Sequence, residues 1–126
     1  MHIAPILRLN AASCIGFGTL FVIAPASVAD FLGSPPGWVL VALGLGLVAN
    51  GGLLLVTARR DPVAASDLRA FAIGDGIWVV ATLVLVSGGI WITTGPGQAA
   101  ALAVAAMVGV FGALQWRAAQ QTSDPA

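Results

Sequence analysis

Four long apolar runs, interrupted only by short polar stretches, dominate this chain. They fall at about 7-25, 38-57, 70-92 and 99-117, and each matches the roughly 20 mostly apolar residues that carry a helix across a bilayer. Inside hydrocarbon no water is present to satisfy backbone N–H and C=O groups, so a span must be a helix or part of a closed barrel. The alternation of a membrane barrel strand is absent from the runs, which leaves helices. A soluble fold is excluded by the same residues. A domain of 126 residues with 59% hydrophobic and 8% charged side chains, and a mean hydropathy of +0.99, has too little polar surface to coat itself in water. The expected architecture is all-α: one integral-membrane domain over 1-126, folded as an up-down four-helix bundle with short connections.

Helix boundaries are marked by turn chemistry. The first run stops at Pro25, and the connection from Ala26 to Gly37 carries Gly33-Ser34-Pro35-Pro36-Gly37. The second stops at Arg59-Arg60-Asp61-Pro62, and Gly95-Pro96-Gly97 marks a turn between Thr93 and Gln98. All basic side chains are arginines: Arg8, Arg59, Arg60, Arg69 and Arg117. With four spans, all of them fall on one side, and the other side carries Asp30. Such an asymmetry over short loops predicts that both termini are cytoplasmic. Trp38 and Trp91 would mark the outer interface and Trp116 the inner one, while Trp78 lies inside the third span. Arginine without lysine, with abundant Ala, Gly and Val, points to a bacterial inner-membrane protein. Ser27-Val28-Ala29 resembles a signal-peptidase site, but the early Arg8 and the long apolar stretch suit an uncleaved anchor better.

The expected surroundings are the lipid bilayer, with a membrane-protein partner or a second copy of the chain. A net charge of zero supplies no basic patch for phosphates, so nucleic acid is not expected. The single cysteine, Cys14, rules out an internal disulfide and a cysteine metal cage, and the sole histidine, His2, is terminal. No catalytic, cofactor or metal motif stands out. Small residues four apart make ridges for helix packing: Ala12 and Gly16, Ala42 and Gly46 continuing to Asn50, and Ala101, Ala105, Gly109 and Ala113. These are expected to pack the four helices against one another.

Chemistry, if the chain has any, should lie at Asp75, the one acidic residue within a span. Six residues beyond Arg69, it lies roughly 9 Å along the helix, with Trp78 and Thr82 on the same face. Asn50 lies roughly 13 Å inside Arg59, and Gln115 sits near the end of the fourth span. Arg8, Asn10, Asn50, Asp75, Trp78 and Gln115 are therefore expected to form one polar layer. Within it an Arg8–Asp75 ion pair is the bland expectation, and a cation, head-group or quinone pocket the sharper one. The other half of the bundle offers only Thr19, Thr82 and Ser87.

The segments Leu7-Arg8-Leu9-Asn10, Gly16-Phe17-Gly18 ending at Pro25, Gly44-Leu45-Gly46 and Gly74-Asp75-Gly76-Ile77-Trp78 give the chain a layout that resembles small bacterial four-helix membrane proteins of the DoxX-like kind. The likeness covers most of the chain through helix count and pattern. Some DoxX-like proteins accompany quinone-linked oxidoreductases, so the resemblance implies an accessory role and no active-site residue. The expected function is a non-enzymatic accessory or assembly subunit of a membrane complex. The alternative is a small carrier or a lipid- or quinone-binding bundle built on the Asp75 layer.

Overall fold

The computed structural model of the protein describes residues 2–122. It contains five helices: α1 (Ala4–Ile23), α2 (Pro25–Leu32), α3 (Gly37–Ala58), α4 (Ala65–Gly88) and α5 (Gly95–Thr122). Four of them, α1, α3, α4 and α5, are long and apolar enough to cross a membrane. This is a multi-pass membrane protein with a helical-bundle fold.

Local chemistry sets the helix ends. Pro5 sits in the first turn of α1, where a missing N–H costs nothing. Pro25 breaks the chain at Ala24 as expected, but it also opens α2, because a proline at the first helical position is preorganised for a helix. The expected loop from Ala26 is thus largely a short helix. α4 starts five residues before the expected boundary, at Ala65 rather than 70. Asp67 in its first turn suits the positive end of the helix dipole, and the fully buried Leu68 anchors that turn. The same helix stops at Gly88, short of the expected 92, because Gly89 takes a left-handed φ of 62°. The Ile90 N–H then reaches back to the Leu85 carbonyl at 2.9 Å, closing a Schellman turn. Gly95-Pro96-Gly97, expected as a turn, is instead the first turn of α5. The Thr94 hydroxyl caps it by accepting the Gly97 N–H at 2.9 Å.

Two antiparallel pairs make the bundle. α1 packs along α3 and α4 along α5, and the pairs are joined chiefly through α1 and α5. In the first pair the backbones touch at two levels. A Cβ on Gly44 would stand 2.6 Å from the Gly18 carbonyl oxygen, and a Cβ on Gly51 would stand 3.0 Å from that of Ala11. Ala11 with Gly18, and Gly44 with Gly51, are each seven residues apart on one face. The contact ridge therefore has a spacing of seven. The ridges read at spacing four in α1 and α3 point elsewhere: Ala12, Gly16, Ala42 and Gly46 are exposed, and Cβ atoms on Gly16 or Gly46 would meet nothing within 4 Å. They face out of the bundle because the α1–α3 seam takes the neighbouring stripe. In α5 the expected ridge is half right, with Ala105 buried and Ala113 exposed. Gly112, next to it, is where α5 meets α4, 3.1 Å (from a built Cβ) to the Asp75 Cβ.

Both ends of the bundle are closed. At the arginine-rich end Leu7, Leu54, Leu68 and Ala119, all fully buried, come together from the four spanning helices. At the opposite end α2 lies across α1, α3 and α5, and its C-terminus is stitched to the α4–α5 connection. The Ser34 N–H donates to the Trp91 carbonyl at 2.9 Å and the Thr93 N–H to the Leu32 carbonyl at 2.9 Å. Gly33, at φ 140°, lets these backbones approach, since a Cβ there would fall on Thr93. Trp38 and Trp91 are exposed at this end and Trp116 toward the other.

Candidate functional site

Between the two closed ends lies a layer of polar side chains from α1, α4 and α5. Asp75 is its centre and is 7% exposed, Asn10 is 1% exposed and Gln115 is wholly buried. The Gln115 amide Nε2 donates to Asp75 Oδ2 at 2.8 Å. The Asn10 amide Nδ2 donates to the same oxygen at 3.2 Å and to Gln115 Oε1 at 2.9 Å. A carboxylate only accepts, so both amides turn their NH₂ groups toward it. The three helices are thereby locked at one level.

The network continues toward α3 through a residue expected only to pack. The Cys14 thiol donates to Asn10 Oδ1 at 3.6 Å, and Asn50 Nδ2 donates to Cys14 Sγ at 3.6 Å. Cys14 stands one turn beyond Asn10 on the same face, the spacing at which helical side chains meet. That spacing was legible, but sulfur is a weak hydrogen-bonding group and gave no polar signal.

Arg8 does not belong to the layer, and the Arg8–Asp75 pair is not formed. Arg8 is exposed, and among the described residues the one ion pair is Arg60–Asp67 at 3.5 Å on the surface. The reason is angular. Positions two apart on a helix point about 200° away from each other, so α1 cannot bury both Arg8 and Asn10. Leu7, Asn10, Ala11 and Cys14 form the buried face, and Arg8 points outward. Asp75 has two neutral amides where a guanidinium was expected.

The layer forms the floor of a cavity of about 200 Å³. Its existence follows from the packing. α1/α3, α1/α5 and α4/α5 are close pairs, whereas α3 and α4 make no comparable contact along their length, so one edge of the bundle is open. α3 supplies Leu47 and Asn50 to the wall, and α4 supplies Phe71, Gly74, Asp75 and Trp78. Gly74 is exposed, and a Cβ there would meet nothing within 4 Å. It stands at the mouth between the two helices. Phe17 from α1, with Val104 and Val108 from α5, completes the apolar part. Phe71 and Phe17 were missed from sequence, although Phe71 precedes Asp75 by one helical turn on the same face.

One carboxylate oxygen of Asp75 remains available. Among the described residues every fully buried side-chain nitrogen and oxygen has a partner. Oδ1 accepts no hydrogen bond from them, so it is not sealed in, and Asp75 is one of the residues lining the cavity. An asparagine would accept the same two amide bonds without the insertion cost of a charged group. Locking the helices together does not in itself call for a carboxylate. Of the remaining expected polar residues, Thr82 is buried and spends its hydroxyl on the Trp78 carbonyl at 2.9 Å, while Thr19 and Ser87 are exposed.

No protein-family model, curated protein or solved structure matches the chain.

Proposed function

We propose that this protein is a small membrane-embedded binding bundle, acting as a carrier or receptor for an amphipathic molecule that enters from the bilayer between α3 and α4. The observation that carries this reading is Asp75, with Oδ1 free of any partner, in the lining of a mostly apolar cavity that also shows Ser13 and Asn50. Binding sites combine such apolar walls with a few placed polar groups. The residues around the cavity supply recognition and no covalent chemistry: Cys14 is buried and held by two asparagine amides rather than by a base. The arginine asymmetry supports placing the protein in a bacterial inner membrane with both termini cytoplasmic. The cavity mouth would then lie in the cytoplasmic half of the bilayer.

Native mass spectrometry of the protein released from mild detergent tests this reading. Wild type should retain a small molecule, and Gly74→Leu, which fills the mouth, should lose it while melting at the same temperature. Equal retention, or none in either protein, would remove the binding reading. The accessory-subunit reading is favoured by a different observation: the small-residue faces Ala12–Gly16 and Ala42–Gly46 point out of the bundle and are open to another helix. A stoichiometric protein partner in the same spectra, lost on Gly46→Leu, would support it.

A further inference from the structure

We infer that the cavity recognises an organic ammonium cation carrying one ring or a comparable apolar group. This rests on the binding reading above and assigns its ligand class from the hydrogen-bond directions and rings of the wall.

The donors around the cavity are turned inward. Both hydrogens of the Asn10 amide are used, on Asp75 and on Gln115. The Ser13 hydroxyl donates to the Asn10 backbone carbonyl at 2.9 Å, and the Cys14 thiol to the Asn10 side chain. Gln115 lies behind Asp75, wholly buried, and does not reach the wall. What faces the cavity is the carboxylate oxygen Asp75 Oδ1, the lone pairs of Ser13 Oγ, and two single N–H groups, one left on the Asn50 amide and one on the Trp78 indole. A carboxylate or a phosphate meets the like charge of Asp75, and a quinone carbonyl can take the Asn50 or Trp78 N–H but leaves the carboxylate oxygen unanswered. A ligand that brings its own N–H finds a carboxylate oxygen waiting, and among the described residues that carboxylate has no basic partner.

The rings decide between a cation and a neutral hydroxyl. Phe71 and Trp78 stand four residues before and three after Asp75, so they share its face of α4, one turn to either side of the carboxylate. Phe17 adds a third ring from α1. Aromatic faces attract ammonium groups through the ring quadrupole, most strongly where water is excluded. A bare metal ion fits less well, since hard cations take six or more oxygens and this wall is mostly carbon. The volume sets the size. At about 200 Å³ the cavity is below the roughly 300–1,000 Å³ of drug-sized sites, which suits an ammonium group with a single ring as the part it seats.

The test uses the full chain in mild detergent, with N,N-dimethylbenzylammonium as the probe and isobutylbenzene, the same shape without charge or N–H, as its isostere. The saturable heat of binding in titration calorimetry, which needs no reporter residue in the cavity, reads binding. The ammonium is expected to bind about tenfold or more tightly than the isostere, the ratio that one charge-assisted hydrogen bond supplies. In Asp75→Asn, which keeps both amide bonds, that preference should vanish. Trp78→Leu keeps an apolar wall and serves as the second variant should Asp75→Asn fail to fold. It should weaken the ammonium and leave the isostere unchanged. If isobutylbenzene or a benzoquinone binds wild type as tightly as the ammonium, and Gly74→Leu blocks it, the cation assignment falls and the binding reading stands. If neither probe nor benzoquinone binds and Gly74→Leu behaves as wild type, both fall.

Discussion

The seam between α1 and α3 and the edge between α3 and α4 both carry glycine, with opposite results. At the seam Gly18, Gly44 and Gly51 let two backbones meet, so closely that a methyl group on Gly18 or Gly44 would lie 2.6 Å from a carbonyl oxygen. At the edge Gly74 meets nothing within 4 Å, and the helices stay apart around a cavity. A glycine lets helices approach only where the facing helix offers a small residue or bare backbone at the same level. Where the partner offers Leu47 and Asn50 across from Phe71 and Trp78, the bulk holds the pair open.

Six substitutions probe this contrast and the closed end and polar layer around it. The largest effect should come from Gly44→Leu, which forces α1 off α3. A loss of about 3 kcal/mol or more is expected from the overpacking, and the melting temperature in detergent should fall by about 10 °C or more. Gly46→Leu, two residues away in open space, should change stability by less than about 0.5 kcal/mol. Similar melting of the two variants would mean the seam is not the tight contact. Next comes Gly33→Ala, which places a Cβ in a left-handed position against Thr93. It should cost about 1–3 kcal/mol and speed amide hydrogen exchange at Ser34 and Thr93, while leaving the arginine-rich end protected. Uniform exchange across the chain would break the picture of two separately closed ends.

Gln115→Leu should cost about 1–2 kcal/mol, since it removes one hydrogen bond between membrane helices and leaves Asp75 with Asn10 alone. Combined with Asn10→Leu the losses should be non-additive, because the two amides bond each other as well as Asp75. The smallest effect belongs to Arg8→Gln, expected within about 0.5 kcal/mol of wild type. If it melted as low as Gln115→Leu, Arg8 would have to be restored as a partner of Asp75.

Asn10, Asp75 and Gln115 were legible as a layer because polar side chains inside apolar runs are few and their depth can be counted from the flanking arginines. Arg8 was placed with them on depth alone. Direction around the helix overrules depth: Leu7, Ala11 and Cys14 share a face with Asn10, and Arg8 does not. The small-residue ridges failed for a related reason. Spacing four and spacing seven both run along a helix surface, and in a chain with 16 glycines each helix offers several such stripes. Which stripe packs is decided by the neighbour. α2 was hidden because Pro25 serves equally well as a stop and as a first helical residue, and Gly95-Pro96-Gly97 has turn chemistry that the Thr94 cap converts into a helix start.

By itself the sequence determined that four apolar helices cross a membrane, because runs of that length and composition have no other way to satisfy their backbones out of water. It also determined that one carboxylate would be carried into the bundle, at a countable depth. Only the tertiary structure decided that Asp75 is held by two amides rather than an arginine, and that one edge of the bundle stays open beside it. Both depend on how helices are rotated and spaced about one another. In lipid those are set by side-chain fit between neighbours, a property of pairs of helices that no single run of residues contains.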